Sequence, residues 1–233
     1  MKVIIQCAAS KQPDAGKLKT QSGEEVVFVA NPKLCSSVPS GVSYVRPDDT
    51  WREMLTRYNE EGENRCKLYR AADLYAPRGF PNLYRELADA FGWENFFILS
   101  AAWGLIRADF LTPDYNITFS TQSKKKNPEA WRDFKATGGW RDFNHLRDAR
   151  IEQDEPVHFF GGKDYLLMFS TLVESLPGTK VIHYKSKELD PGQKRHPRFD
   201  YAKYDGPEKN RTWHYRAAKD FAAETGLRGE PQT

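Results

Sequence analysis

The chain has little of what most readily betrays a function. No apolar run in its 233 residues approaches the ~20 needed to cross a bilayer, so no membrane partner is expected. The opening MKVIIQCAASK offers about four consecutive apolar residues against the roughly 7 to 15 of a secretory core, and it reads as the first strand of a cytoplasmic protein. Cysteine is scarce. Cys7, Cys35 and Cys66 are odd in number, far apart and free of any C-x-x-C pair, which argues against a disulfide framework. The five histidines include no pair at the i, i+4 spacing that sets two imidazoles on one helical face, so no metal is expected. Neither G-x-x-x-x-G-K-[ST] nor G-x-G-x-x-G occurs, which removes the usual grounds for triphosphate hydrolysis or dinucleotide redox chemistry and leaves no cofactor expected. Net charge is only +3 and by itself singles out no partner.

What is present suggests one α/β domain spanning residues 1–233. Near-continuous apolar runs at 2–6, 95–99, 157–160 and 180–184 read as buried strands of a mainly parallel sheet, and 25–30 as a fifth strand at an edge or in a hairpin. Helical periodicity covers 49–59, 78–91, 164–176 and 210–225, with Gly92, Pro177-Gly178 and Gly226 as stops. Residues 121–150 read as a helical insertion; within it, Gly138-Gly139 divides 128–150 into two short helices outside the sheet. Residues 185–226 form a basic C-terminal segment ending in a helix.

Chemistry gathers where strands stop. Residues 96–119, FFILSAAWGLIRADFLTPDYNITF, pass from an apolar strand into Ser100, Trp103, Gly104, Arg107, Asp109, Asp114 and Tyr115. In an open parallel sheet ligands bind at the carboxyl ends of strands. The loops after the strands at 2–6, 95–99 and 157–160 are therefore expected to meet, bringing together Cys7, Ser10, Lys11, Ser100, Trp103, Asp109, Asp114, Gly161, Gly162 and Tyr165. Each has a plainer alternative. Trp103 is core or a stacking platform, its place before Gly104 in a loop favouring the platform. Asp114 caps a turn or orients a water; Cys7 is a small hydrophobe or a nucleophile; Lys11 faces solvent or phosphate, or pairs with Ser10. Gly161 and Gly162 offer backbone N–H groups to a ligand, or simply turn the chain into a helix.

Cations interleave with rings in two places. Residues 185–216 hold nine Lys/Arg against five Asp/Glu, with Phe199, Tyr201, Tyr204, Trp213 and Tyr215 among them. Lys124, Lys125 and Lys126 form a second cluster near Trp131 and Phe134. The pattern suits a polyanion with stackable bases, or a solvated face over snorkelling side chains. For a DNA backbone the candidates are Lys185, Lys187, Lys194, Arg195, Arg198 and Arg211.

The ordered motifs C-x-x-S-K at 7–11, A-x-x-L-Y at 71–75, L-S-A-x-x-G-L at 99–105, P-x-Y at 113–115 and G-x-x-Y at 162–165 resemble uncharacterised bacterial and phage proteins related to the YaaA peroxide-stress family. The resemblance covers roughly residues 1–120 and 155–185. It implies a three-layer α/β sandwich of the uracil-DNA-glycosylase type, DNA binding as in the stress proteins, and base-releasing activity as in more distant or phage-defence relatives. The G-Q-D-P-Y-like water-activating loop of classical uracil glycosylases is missing, residues 6–10 standing in its place. A catalytic carboxylate must then come from Asp109 or Asp114.

The leading expectation is an enzyme that takes an extruded, modified base from DNA and hydrolyses its N-glycosidic bond, with Cys7, Ser10, Lys11, Ser100, Trp103, Gly104, Tyr115, Gly161, Gly162 and Tyr165 holding substrate. The rivals are a non-catalytic DNA-binding stress protein, and a hydrolase or deoxyribosyltransferase acting on free nucleosides or nucleotides.

Overall fold

The computed structural model describes residues 1–135, 140–185, 196–206 and 212–225. Four apolar segments form its centre: β1 (Lys2–Gln6), β5 (Phe96–Ser100), β10 (Pro156–Phe160) and β11 (Thr179–Tyr184). With β6 (Gly104–Arg107), β9 (Phe143–Asn144) and β12 (Phe199–Lys203) they make a seven-stranded sheet of order β12-β11-β10-β1-β5-β6-β9. β12, β11, β10, β1 and β5 all run parallel. Val3, Ile4, Ile5, Phe96, Phe97, Ile98 and Leu99 are fully buried, as strands covered on both faces require.

Side-chain alternation along β10 sorts the helices. Phe159 stacks on Phe169 of α6 (Lys163–Val173) at 4.3 Å, whereas His158 and Phe160 meet Phe221 of α7 (Trp213–Glu224) at 4.5 and 5.4 Å. α6 and α7 therefore cover opposite faces, because successive side chains of a strand point to opposite sides. α3 (Leu83–Phe91) packs beside α7, with Phe91 against Phe221 at 6.0 Å. No helix among the described residues is long and apolar enough to cross a membrane.

Three departures from the sequence reading matter. The chain does not leave the sheet after β5: Gly104 adopts φ +95°, and the strand that follows returns antiparallel, pairing Ser100 with Gly104 and Phe97 with Arg107. A side chain at Gly104 would strike the backbone of Phe143. Strand β2 (Glu25–Val29) is neither an edge nor half a hairpin. It is the middle of a separate parallel sheet, flanked by β3 (Val42–Val45) and the two-residue β8 (Tyr115–Asn116). Within 121–150 the described residues form α4 (Ser123–Lys126), β9 and α5 (His145–Asp148), and β9 joins the main sheet instead of lying outside it. Residues 136–139, which include Gly138-Gly139, lie outside the described set.

The remaining elements are α1 (Asp49–Glu61), capped by Asp48 accepting the Trp51 N–H at 3.3 Å, α2 (Ala71–Leu74), and the short antiparallel pair β4 (Tyr69–Arg70) and β7 (Leu111–Thr112).

Candidate functional site

Strand order reverses around β1. The chain passes from β1 to β5 on one side and later returns to β10, β11 and β12 on the other. Loops at such a switch point leave in opposite directions and open a crevice at the carboxyl end of the sheet. A cleft of about 560 Å³ lies there, within the usual range for small-molecule sites. Its walls are the end of β1 and the residues after it (Gln6, Cys7, Ala9), the entry to α6 (Gly162 to Tyr165), Thr118 and Ser120, and the entry to α7 (Thr212 to Tyr215).

The β1 and β10 loops are tied together directly. Gln6 Oε1 accepts the Gly162 N–H at 2.6 Å, and Cys7 Sγ lies 3.2 Å from Tyr165 Oη. Tyr84 Oη donates to Gln6 O at 2.6 Å from below. A chain of hydroxyls continues inward: Ser100 Oγ donates to Tyr115 Oη at 3.0 Å, and Tyr115 and Tyr75 share a bond of 2.9 Å. Burial holds Tyr75, Tyr84, Tyr115 and Tyr165 well above the ordinary phenol range, so the floor is neutral at physiological pH.

Outside the cleft lining, Lys11 Nζ donates to Tyr115 O at 2.7 Å, sits 4.1 Å from that residue's ring centre and lies 3.7 Å from Asp114 Oδ1. Burial lowers its pKa, while Asp114 and Cys7 act in the opposite direction. Asp114 Oδ1 also accepts the N–H of Tyr115 at 2.7 Å, so Asp114 caps the turn while it faces Lys11.

Among the wall residues that the sequence reading did not single out, two carry the chemistry of interest. Asp164, in the first turn of α6, puts a carboxylate in the cleft lining. His214, in the first turn of α7, is 4% exposed, and neither ring nitrogen has a hydrogen-bond partner among the described residues. Burial lowers its pKa to about 3, which leaves a neutral imidazole with one donor and one acceptor unused. The triplet Trp213-His214-Tyr215 at a helix start was the visible signal. Only the flanking rings had been noted, because nothing in the sequence marks His214 as buried.

Several expected site residues lie elsewhere. Trp103 is not a platform: it is fully buried, edge-on to Phe28 at 4.9 Å and 5.5 Å from the Arg52 guanidinium. The turn that carries it is sealed because two buried arginines take its carbonyls. Arg132 donates to Ala101 O at 2.8 Å, and Arg52 donates to Ala102 O at 2.7 Å and Trp103 O at 3.0 Å. Gly104 is buried with it. Ser100 is fully buried and touches the site only through Tyr115.

Asp109 is displaced furthest. Antiparallel β6 carries the chain back to the opposite edge of the sheet, where Asp109 forks with Arg107 at 2.9 and 3.4 Å and borders a separate groove with Lys2, Trp93 and His145. Neither of the two carboxylates chosen from sequence is in the cleft lining, and Asp114 is connected to it only through the segment that reaches the wall at Thr118. Ser10 is exposed and outside the cleft lining, its carbonyl accepting the Ala76 N–H at 3.0 Å. Gly161 is buried where any side chain would meet the Phe159 ring, and Tyr115 lies beneath the site.

Among the backbone candidates, Lys185 donates to Gly206 O at 2.7 Å and lies 5.3 Å from the Tyr204 ring centre. Arg198 precedes β12 at the edge opposite the cleft, 3.9 Å from Glu174. Lys187, Lys194, Arg195 and Arg211 lie outside the described residues. Lys124, Lys125 and Lys126 are exposed on α4, which begins three residues after the wall residue Ser120. No cluster of three or more His, Cys, Asp or Glu suited to a metal occurs among the described residues.

Comparison with known proteins finds no matching family model, curated protein or solved structure.

Proposed function

We propose that this protein is a DNA glycosylase-like enzyme that accepts an extruded, modified base in the cleft beside β1 and releases it by breaking the N-glycosidic bond. His214 carries the reading. A buried imidazole without partners costs free energy, and a nucleobase edge, with donors and acceptors in one plane, supplies the bonds it lacks. Trp213 and Tyr165 add aromatic surface to the same walls. Asp114, four residues before the wall residue Thr118, is the carboxylate assigned to the sugar cation that develops at C1′, and Asp164 supplies a carboxyl group within the cleft lining itself.

A sheet covered on both faces, with its cleft at the switch point, is compatible with the uracil-DNA-glycosylase-like sandwich that the sequence motifs suggest. The exposed lysines of α4, four to six residues beyond the wall residue Ser120, are assigned with the wall residue Lys163 to the phosphate backbone of a cytoplasmic DNA substrate.

The test is incubation with single- and double-stranded oligonucleotides carrying normal and modified bases, scoring free base and abasic sites. Release that His214→Ala reduces supports the assignment. Intact binding with no release from any substrate reduces the protein to a DNA binder. Action on free nucleosides with no salt dependence moves it to the small-molecule class, since each phosphate contact on duplex DNA adds about 0.9 to the log-log salt slope.

A further inference from the structure

We infer that the first turn of α7 is a phosphate seat, so that the ligand of the cleft brings a phosphate group as well as the part that His214 reads. The carrier rests on the base-releasing reading above, which makes it a nucleotide unit of DNA. Thr212 to Tyr215, the N-cap and opening turn of a twelve-residue helix, line the cleft. The leading N–H groups of a helix have no intrahelical carbonyl, and the aligned peptide dipoles leave about half a positive charge at that end. Tyr215 and Arg216 turn their N–H groups back on Thr212 O at 3.0 and 3.4 Å, which leaves those of Trp213 and His214 without a backbone partner among the described residues. No acidic side chain stands in that turn to answer the charge. The start of α6 lines the same cleft but is already served: Gln6 takes the Gly162 N–H, and Asp164 puts a carboxylate in its first turn.

His214 is the independent sign that a ligand belongs there. Its imidazole is buried in the same wall with neither nitrogen bonded, and burial alone accounts for its low pKa, so no neighbouring charge engages the ring. The two nitrogens of an imidazole point apart, and in the neutral ring one donates while the other accepts. A single base edge therefore answers one of them. A phosphate is tetrahedral and offers three strong acceptor oxygens, enough to meet two amides and a ring N–H together. In this arrangement the phosphate takes the Trp213 and His214 amides and the donor nitrogen of His214, and an N–H of the base serves the acceptor nitrogen. Lys163, also in the cleft lining, adds positive charge from the α6 side.

Inorganic phosphate is the probe, titrated into the full chain and followed by amide NMR. It is expected to shift the Trp213 and His214 amides first, with sodium chloride at matched ionic strength giving no such shift. His214→Leu removes the ring and keeps both amides, and it is expected to weaken phosphate by at least about 10-fold, the loss of one hydrogen bond to a charged group. The wild-type shifts do not depend on how any variant folds. Shifts confined to other residues, chloride matching phosphate, or unchanged affinity in His214→Leu overturns the seat. A short oligonucleotide is expected to displace the phosphate; displacement by deoxynucleoside 5′-monophosphates alone overturns DNA as the carrier. Base release from modified DNA that phosphate neither inhibits nor accompanies with shifts at Trp213 and His214 overturns the seat and leaves the base-releasing reading intact. Phosphate binding at those amides with no release from any substrate does the reverse, and absence of both overturns the two together.

Discussion

Replacing Asp142 by Asn should destabilise this protein more than almost any other single-atom exchange in it. Asp142 is 7% exposed and binds Arg132 in a fork of 2.9 and 2.6 Å, with Arg52 Nη2 at 3.7 Å. The two guanidiniums are 2% and 5% exposed, and Arg132 counts among the charges opposing ionisation of Arg52. Burial lowers the pKa of Arg52 to about 10. Asp142 is therefore the carboxylate shared by two buried cations that also take the carbonyls of residues 101–103, with Asp49 adding to it at Arg52.

Asn preserves the shape and removes the charge. Uncovering one side of a buried ion pair costs about 3–5 kcal/mol, a large part of a typical total of roughly 5–15 kcal/mol. For a chain of this size each kcal/mol moves Tm by about 2–4 °C, so a fall of about 6–20 °C is expected by calorimetry. Glu152→Gln is the control, because its partner Arg150 is 90% exposed at 2.8 Å and such pairs contribute little. If Asp142→Asn melts within about 2 °C of wild type, burial of the pair is not what holds the β5–β6 turn against β9.

His214→Leu should raise stability by about 1–3 kcal/mol, because it removes two unsatisfied nitrogens from a dry site, yet abolish base binding; melting and fluorescence titration with oligonucleotide check the two halves. Asp109→Asn should leave base release unchanged and Asp114→Asn should lower it by about 10²–10⁴-fold, measured by single-turnover kinetics. Trp103→Ala should cost about 3–5 kcal/mol in chemical denaturation while leaving the affinity of the folded fraction intact, since the ring packs in the core and not in the cleft. Acid should destabilise the fold through His183 and His214. Both are held down to about 3 by burial, so the unfolded chain binds the extra protons: stability is full above pH 6.5 and declines as pH falls toward 3, by up to about 1.4 kcal/mol per pH unit for each. A Tm that stays flat from pH 7.5 to 5 would show that these rings are not buried neutral.

Legibility followed the reach of each interaction. β1 and β5 could be read from local composition, because a strand buried on both faces must be apolar nearly throughout, and β10 and β11 from shorter apolar runs within partly buried strands. α1, α3, α6 and α7 announced themselves by period; the bounds of α1, α6 and α7 fall close to the expected ones, whereas α3 begins at Leu83, five residues later than expected. The two-residue strand β8 has too few side chains to show an alternation, so the second sheet was invisible, and with it the central place of β2. The costliest miss was β6. Leu105-Ile106 is apolar and follows Gly104, the marks of a hairpin, yet the polar residues on either side draw the segment into a loop reading.

That one reversal decides which predicted residues share the site. A parallel strand delivers its loop to the carboxyl edge; an antiparallel return delivers the residues after it to the other edge, and every polar group downstream goes with it until the chain crosses back. Asp109 is carried away by β6, and Asp114 comes back only because β7 and β8 lead the chain up beside β2. The β1 and β10 loops converge for the complementary reason: β10 pairs directly with β1, so Gln6 and Gly162, 156 residues apart in sequence, emerge side by side at the end of adjacent strands. Convergence of loops in such a sheet is thus a property of strand order, and a motif gains functional weight once the direction of the strand carrying it is known. Ser100 and Trp103 sit at the correct edge and are still lost to the core, because the turn that holds them must bury its carbonyls against Arg52 and Arg132. His214 shows the opposite case, a residue with no local mark whose exposure and missing partners were set entirely by the docking of α7 against β10 and α3.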